Sequence, residues 1–196
     1  GLPCVMIDAY IKGKGLCCVS VDNVKASEEL ANYLINAGHR NIVVVEGKRE
    51  AEVNNYRLAG IYAAFAKHGM ELSRDRILTG EFRETVAYQQ VRQYLLEHGK
   101  DGTTAFLCLS DIMALGVMRA ITELGYSIPG DFSVTGFDGI PIAEYTTPAL
   151  TTIGQDMERV GYQAAALLME LTKNPEESRC VYVPYQFLER DSVRKL

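Results

Sequence analysis

The sequence predicts an α/β fold in which a parallel sheet carries helices on both faces. Short β-branched, apolar runs alternate along the chain with stretches of helical period near 3.6. Polar residues and one aromatic recur just after the apolar runs, and several helix ends carry start or stop signals. The strand candidates are CVMI (4–7), CVSV (18–21), IVVV (42–45), ILT (77–79), AFLCL (105–109), FSVTG (132–136) and a late VYVPYQFLE (181–189). Helix candidates lie near 24–37, 55–68, 84–97, 111–124 and 157–172. Gly38 follows the stripe Leu30, Leu34, Ile35 as a left-handed stop. Asp111 stands before IMALGVM as a helix cap, and Gly125 and Pro129 close that helix. KNPEESR (173–179) reads as a surface turn.

With 196 residues and 47% hydrophobic content the chain can bury one large core or two smaller ones. Lysine and arginine total 20 against 25 acidic residues, a formal charge of -5, whereas a duplex-binding domain carries a basic stripe. These residues alone are not expected to grip DNA. No run of about 18 apolar residues is present to span a bilayer. The start GLPCVMIDAY lacks the basic leader and long apolar stretch of a signal peptide, so a cytoplasmic setting is expected. The five cysteines, at 4, 17, 18, 108 and 180, show neither metal-ligand spacing nor a disulfide framework. Cys4, Cys18 and Cys108 fall in apolar runs and are expected as reduced, buried small hydrophobes.

In open parallel sheets the ligand sits beyond the carboxyl ends of the strands. There the chain places Asp8, then Asp22 and Asn23, then Glu46 to Arg57, then Phe82, Ser110 with Asp111, and Asp138. Charged groups for hydroxyls and an aromatic face for the apolar side of a ligand suit a cleft for a polar molecule. Each also has an ordinary explanation. Asp22 or Asn23 caps a helix, as does Asp111; Arg57 lies on a solvated face or pairs with an acid; Phe82 is core. Asp138 resists such treatment, because GFDG ends a buried strand where an acid must find a partner or bear the cost of desolvation.

Four stretches, VSVDNVKASEELANYLINAGHRNIVVVEG, YRLAGIYAAF, SDIMALGVMRAITELGYSIPGDFSVTGFDGIPIAEYTTPALTTIGQD and VPYQFLERDSV, resemble the LacI/GalR family of transcriptional regulators in order and spacing. The resemblance covers nearly the whole chain. It implies a type I periplasmic-binding-protein-like fold, with two parallel-sheet lobes flanked by helices, three crossing strands and an effector between the lobes. Residues 1–21 and 156–184 would form part of the N-terminal lobe, and 22–155 with 185–196 the C-terminal lobe. The crossings would fall near Val21–Asp22, Gln155 and Pro184–Tyr185. The family's helix-turn-helix, hinge helix and opening strands of the first lobe have no counterpart in this sequence, so that lobe is expected to be incomplete.

By the same resemblance Arg57 and Asp138 hydrogen-bond the effector, Phe82 takes the place of a stacking aromatic, and Asp8, Val21, Val53, Ser110 and Gln155 line the cleft. Ser110 stands where the family commonly has asparagine, and Gly139 where it often has a second acid or amide. Ala51 and Val53 offer no extra charge or hydroxyl, which tilts the expected effector towards a neutral sugar over a purine.

The implied function is an effector-binding and dimerisation domain of a repressor, which senses a small sugar-like molecule and controls DNA binding allosterically. Operator DNA would be met only through the missing head. The alternative within the same fold is a periplasmic sugar receptor of a transporter. An enzyme is the other class, and little favours it. His39, His68 and His98 fall at helix carboxyl ends beside glycine, none pairs by spacing with a serine or cysteine, and GKG (13–15) has no third glycine and no helix after it. No catalytic residue, cofactor or metal is expected. The helix DIMALGVMRAITELG is apolar around most of its circumference, and IPIAEYTTPAL is apolar although it reads as a loop. The resemblance implies a two-fold homodimer there, with Leu115, Met118, Ile142 and Tyr145 in the interface; cover within one subunit is the plain alternative.

Overall fold

The chain's computed structural model describes residues 3–9, 16–174 and 176–196; the GKG segment lies outside them. Among the described residues nine strands form: β1 (Cys4–Ile7), β2 (Leu16–Ser20), β3 (Ile42–Glu46), β4 (Ile77–Thr79), β5 (Ala105–Cys108), β6 (Ser133–Asp138), β7 (Thr151–Gln155), β8 (Cys180–Tyr182) and β9 (Tyr185–Leu188). Five α-helices alternate with them: α1 (Asn23–Asn36), α2 (Glu52–Lys67), α3 (Glu84–His98), α4 (Asp111–Glu123) and α5 (Met157–Leu171). Every position of β3 and β5 is buried, as strands covered by helices on both faces must be.

The strands make two sheets. One has three strands in the order β1-β2-β8, all parallel. The other has six in the order β4-β3-β5-β6-β7-β9, parallel except for the antiparallel β7–β9 edge. Two strand expectations need correction. TTIGQ, absent from the expected strands, forms one. The late apolar run is two strands, one in each sheet, with Val183 and Pro184 carrying the chain across.

Helices pair on the large sheet through glycines at their closest approach. A Cβ on Gly60 of α2 would lie 2.1 Å from the Val24 carbonyl oxygen of α1, and one on Gly116 of α4 would lie 2.3 Å from the Glu84 carbonyl oxygen of α3. Phe106, Phe132, Phe137, Leu30, Leu34 and Ile61 are among the large side chains sealed in the core. In α4, Met113, Val117, Met118 and Ile121 are buried within the chain, Leu115 is half-buried, and Ile142 and Tyr145 in the following loop are exposed.

The caps sort out the competing explanations. Asp22 caps α1, accepting from the Lys25 N–H at 3.0 Å. Asp111 is not the cap of α4, contrary to expectation; Ser110 is, accepting from Met113 N–H at 3.3 Å. The Asp111 carboxylate turns instead to the loop after β6, where it accepts from Ile140 N–H (2.8 Å) and Thr152 Oγ1 (2.6 Å).

The cysteine expectation fails at two places. Cys18 and Cys180 face each other in the β2–β8 register, 4.5 Å apart at Cα, and are joined by a disulfide. Their separation of 162 residues hides the pair from any spacing rule. Cys4 is exposed, while Cys17 and Cys108 are buried free thiols. His39 is a buried strut between Thr104 Oγ1 (2.8 Å) and the Arg194 carbonyl (3.0 Å). Among the described residues no helix is long and apolar enough to cross a membrane.

Candidate functional site

Arg57 lies one turn and a half into α2, and the packing of that helix turns its side chain inward until 4% of it is exposed. Nη1 donates to the Leu109 carbonyl at the end of β5 (2.5 Å), Nε donates to Asn23 Oδ1 (2.8 Å), and Nη2 lies 3.1 Å from Asp138 Oδ1. The guanidinium carbon sits 3.7 Å from the centre of the Phe137 ring, a cation over an aromatic face. A solvated arginine would show none of this.

Asp138 ends β6 with φ of 120°, a backbone conformation that L side chains adopt at a cost. Its Oδ1 also accepts from Gln155 Nε2, at the end of the neighbouring β7 (2.9 Å). Burial pushes the Asp138 carboxyl up to about 6; Arg57 and Gln155 pull it down, and the nearby Asp111 carboxylate adds to the rise. Asp111 is itself raised by burial. Close approach here depends on glycine, since a Cβ on Gly136 would lie 2.1 Å from Asp111 Oδ1.

Three expected residues, Arg57, Asp138 and Gln155, are therefore in direct contact. Asp8 connects to them at a remove: it accepts from Ser20 Oγ (2.6 Å), which accepts from Asn23 Nδ2 (3.0 Å), and Asn23 in turn holds Arg57. Ser110 follows Leu109, whose carbonyl Arg57 holds, and is occupied as the α4 cap. Phe82, half-buried, lays its ring over Gly47, where a Cβ would fall 2.1 Å from the ring. Val21 is sealed in the core and Val53 is half-buried in the first turn of α2.

Sequence reasoning set Asn23 and Glu46 among the polar groups that follow strands but named neither as an effector-binding residue. Glu46 closes β3 with 1% of its surface exposed. Glu46 Oε1 receives Arg74 Nη2 (2.7 Å), Arg49 Nε (3.0 Å) and Thr79 Oγ1 (3.0 Å), a charge-assisted clamp on the loop after β3, the turn before β4 and the end of β4. An acid closing IVVV is the same signal that singled out Asp138. The site as a whole presents an acceptor and a donor fork side by side, suited to holding hydroxyls. Among the described residues no group of three or more His, Cys, Asp or Glu is placed to hold a metal.

The model of the periplasmic binding protein-like domain matches residues 31–193. A repressor of Erwinia tasmaniensis, "HTH-type transcriptional repressor PurR", is 36% identical over 98% of this chain and 56% of its own length. The "Probable HTH-type transcriptional repressor ExuR" of Bacillus subtilis is 29% identical over 100% of the chain and 58% of its own. The chain thus spans a little over half the length of these curated relatives. Among solved structures, a LacI family transcriptional regulator from Enterococcus faecium with bound ribose superposes with a TM-score of 0.86 at 28% identity, covering 98% of this chain and 70% of that one.

Proposed function

The chain belongs to the periplasmic binding protein-like family, in the form found in LacI-family regulators, and from that premise we propose that it is the effector-binding and dimerisation module of a transcriptional repressor. Its effector is a small neutral sugar or sugar derivative. One observation carries this reading: Arg57 and Asp138 meet at 3.1 Å where strands β6 and β7 end, with Gln155 beside them. The opposite charges largely cancel, so the pair offers directed hydrogen bonds without favouring a net charge on the ligand. Phe82 supplies an apolar face, and Asp8, Val53 and Ser110 complete the lining, with Val21, expected beside them, packed behind it in the core. The bound ribose of the similar regulator supports the same class.

The two lobes are 1–21 with 156–184, and 22–155 with 185–196. Effector binding acts by having different affinities for two arrangements of the lobes. A two-fold homodimer through Leu115, Ile142 and Tyr145 passes that difference on, Met118 being covered within its own chain, and operator DNA is met only by parts of the repressor outside this chain. The setting is cytoplasmic. A transporter's sugar receptor is less favoured, because the curated relatives are repressors.

Thermal melting with D-ribose and a panel of neutral sugars tests the proposal. A ligand at about 100 times its dissociation constant adds ~2.7 kcal/mol, a rise of about 5–11 °C for a domain of this size. A shift with a purine base and with no sugar would overturn the ligand class.

A further inference from the structure

We propose that Asn23 is the positioning residue for Arg57, and that with Ser20 and Asp8 it forms a directed hydrogen-bond chain linking the effector-binding arginine to the three-stranded sheet. The inference rests on the effector role given to Arg57 above. Arg57 Nε–H donates to Asn23 Oδ1 (2.8 Å), Asn23 Nδ2–H to Ser20 Oγ (3.0 Å), and Ser20 O–H to Asp8 Oδ1 (2.6 Å). Along this route the donors point the same way, from a cation at one end to a carboxylate at the other; the Val21 carbonyl is a second, more distant acceptor for Ser20 Oγ (3.0 Å against 2.6 Å to Asp8) and for Asn23 Nδ2 (3.3 Å). Aligned bonds of this kind polarise and strengthen one another, and both terminal bonds are charge-assisted.

Residue type and burial fit the role. Asn23 must accept from Arg57 and donate to Ser20 across one side chain, which a carboxamide does and a carboxylate or an alkyl group does not. Asn23 is 1% exposed and Ser20 fully buried, so water cannot substitute for either without rearrangement. Position gives the chain its meaning. Arg57 Nη1 and Nη2 are held by Leu109 and Asp138, both at the end of the large sheet, whereas Nε leads through Asn23 to the ends of β2 and β1 in the small one. Asn23 sits where the chain passes from one sheet to the other, three residues after β2 ends. A displacement of the small sheet therefore pulls on the Arg57 guanidinium, and effector bound to that guanidinium reports back by the same route.

The test follows the Arg57 Nε–H resonance in uniformly nitrogen-15-labelled protein, assigned by its loss in Arg57→Lys, together with D-ribose titration. The resonance is expected to be protected from exchange, to lose protection in Asn23→Ala, and to move in Ser20→Ala and Asp8→Asn although neither residue touches Arg57. In an Asn23→Ala background, Asp8→Asn is expected to have no further effect. Ribose affinity should weaken about threefold to tenfold in Asn23→Ala, the range one net hydrogen bond is worth. If Asn23→Ala fails to fold, the half-exposed Asp8→Asn and Ser20→Ala decide the matter. An Arg57 signal unmoved by both, or ribose affinity unchanged in Asn23→Ala, overturns the inference. Absence of ribose binding to the unaltered protein counts against the sugar reading, and the resonance arm then judges the chain alone.

Discussion

Asp138→Asn should make the protein more stable and a worse receptor at the same time. Burial holds the Asp138 carboxyl at about 6 in the folded state against an ordinary 3.8. At 1.36 kcal/mol per pH unit the gap is ~3 kcal/mol, or ~2–3 kcal/mol once the partial exposure of the side chain is allowed for. Because the folded value is the higher one, the contribution is whole below the unfolded value and is lost as the pH rises through about 6. At pH 7 the folded protein therefore bears the full cost of an ionised Asp138. Asparagine keeps the shape, and its amide oxygen can still accept from Arg57 and Gln155, but it does not ionise. Urea and thermal unfolding at pH 7 should show a gain of ~2–3 kcal/mol, about 4–12 °C, that vanishes near pH 4. Effector affinity should fall about tenfold to a hundredfold with the loss of a charged acceptor. In the unaltered protein, affinity should also fall as the pH drops through about 6. A variant less stable than the parent at pH 7 would refute the reasoning, since the Arg57–Asp138 ion pair would then outweigh the desolvation it relieves.

Gly60→Ala should cost ~1–3 kcal/mol or more, because backbone of α1 lies where the methyl group must go; a melting curve within 2 °C of the parent (about 0.5–1 kcal/mol) would contradict the packing described. Reducing the Cys18–Cys180 disulfide, which closes a loop of 162 residues, should lower stability by up to about 5 kcal/mol, and thiol titration with an unchanged melting point would refute this. Light scattering should find a dimer that Leu115→Lys or Tyr145→Glu dissociates. A monomer for the parent chain would remove the proposed interface.

Much of the fold was legible because it is written locally. IVVV, AFLCL and FSVTG announce buried parallel strands through their composition, and all five helices fall within a few residues of their apolar periodicity. TTIGQ escaped because one isoleucine and a glycine make no apolar run, and VYVPYQFLE because nothing in its pattern says that its halves join different sheets. For the site, strand ends and the resemblance together singled out Arg57, Asp138 and Gln155, which the structure brings into contact. By itself the sequence determined where strands and helices form and which polar residues stand at strand ends, since both follow from neighbours along the chain. Only the tertiary structure decided that Cys18 faces Cys180, that Asp111 braces a loop instead of capping a helix, and that Asn23 reaches across 34 residues to Arg57. Those partnerships depend on sheet order and register, which are settled by the packing of the whole core and carry no local pattern of their own.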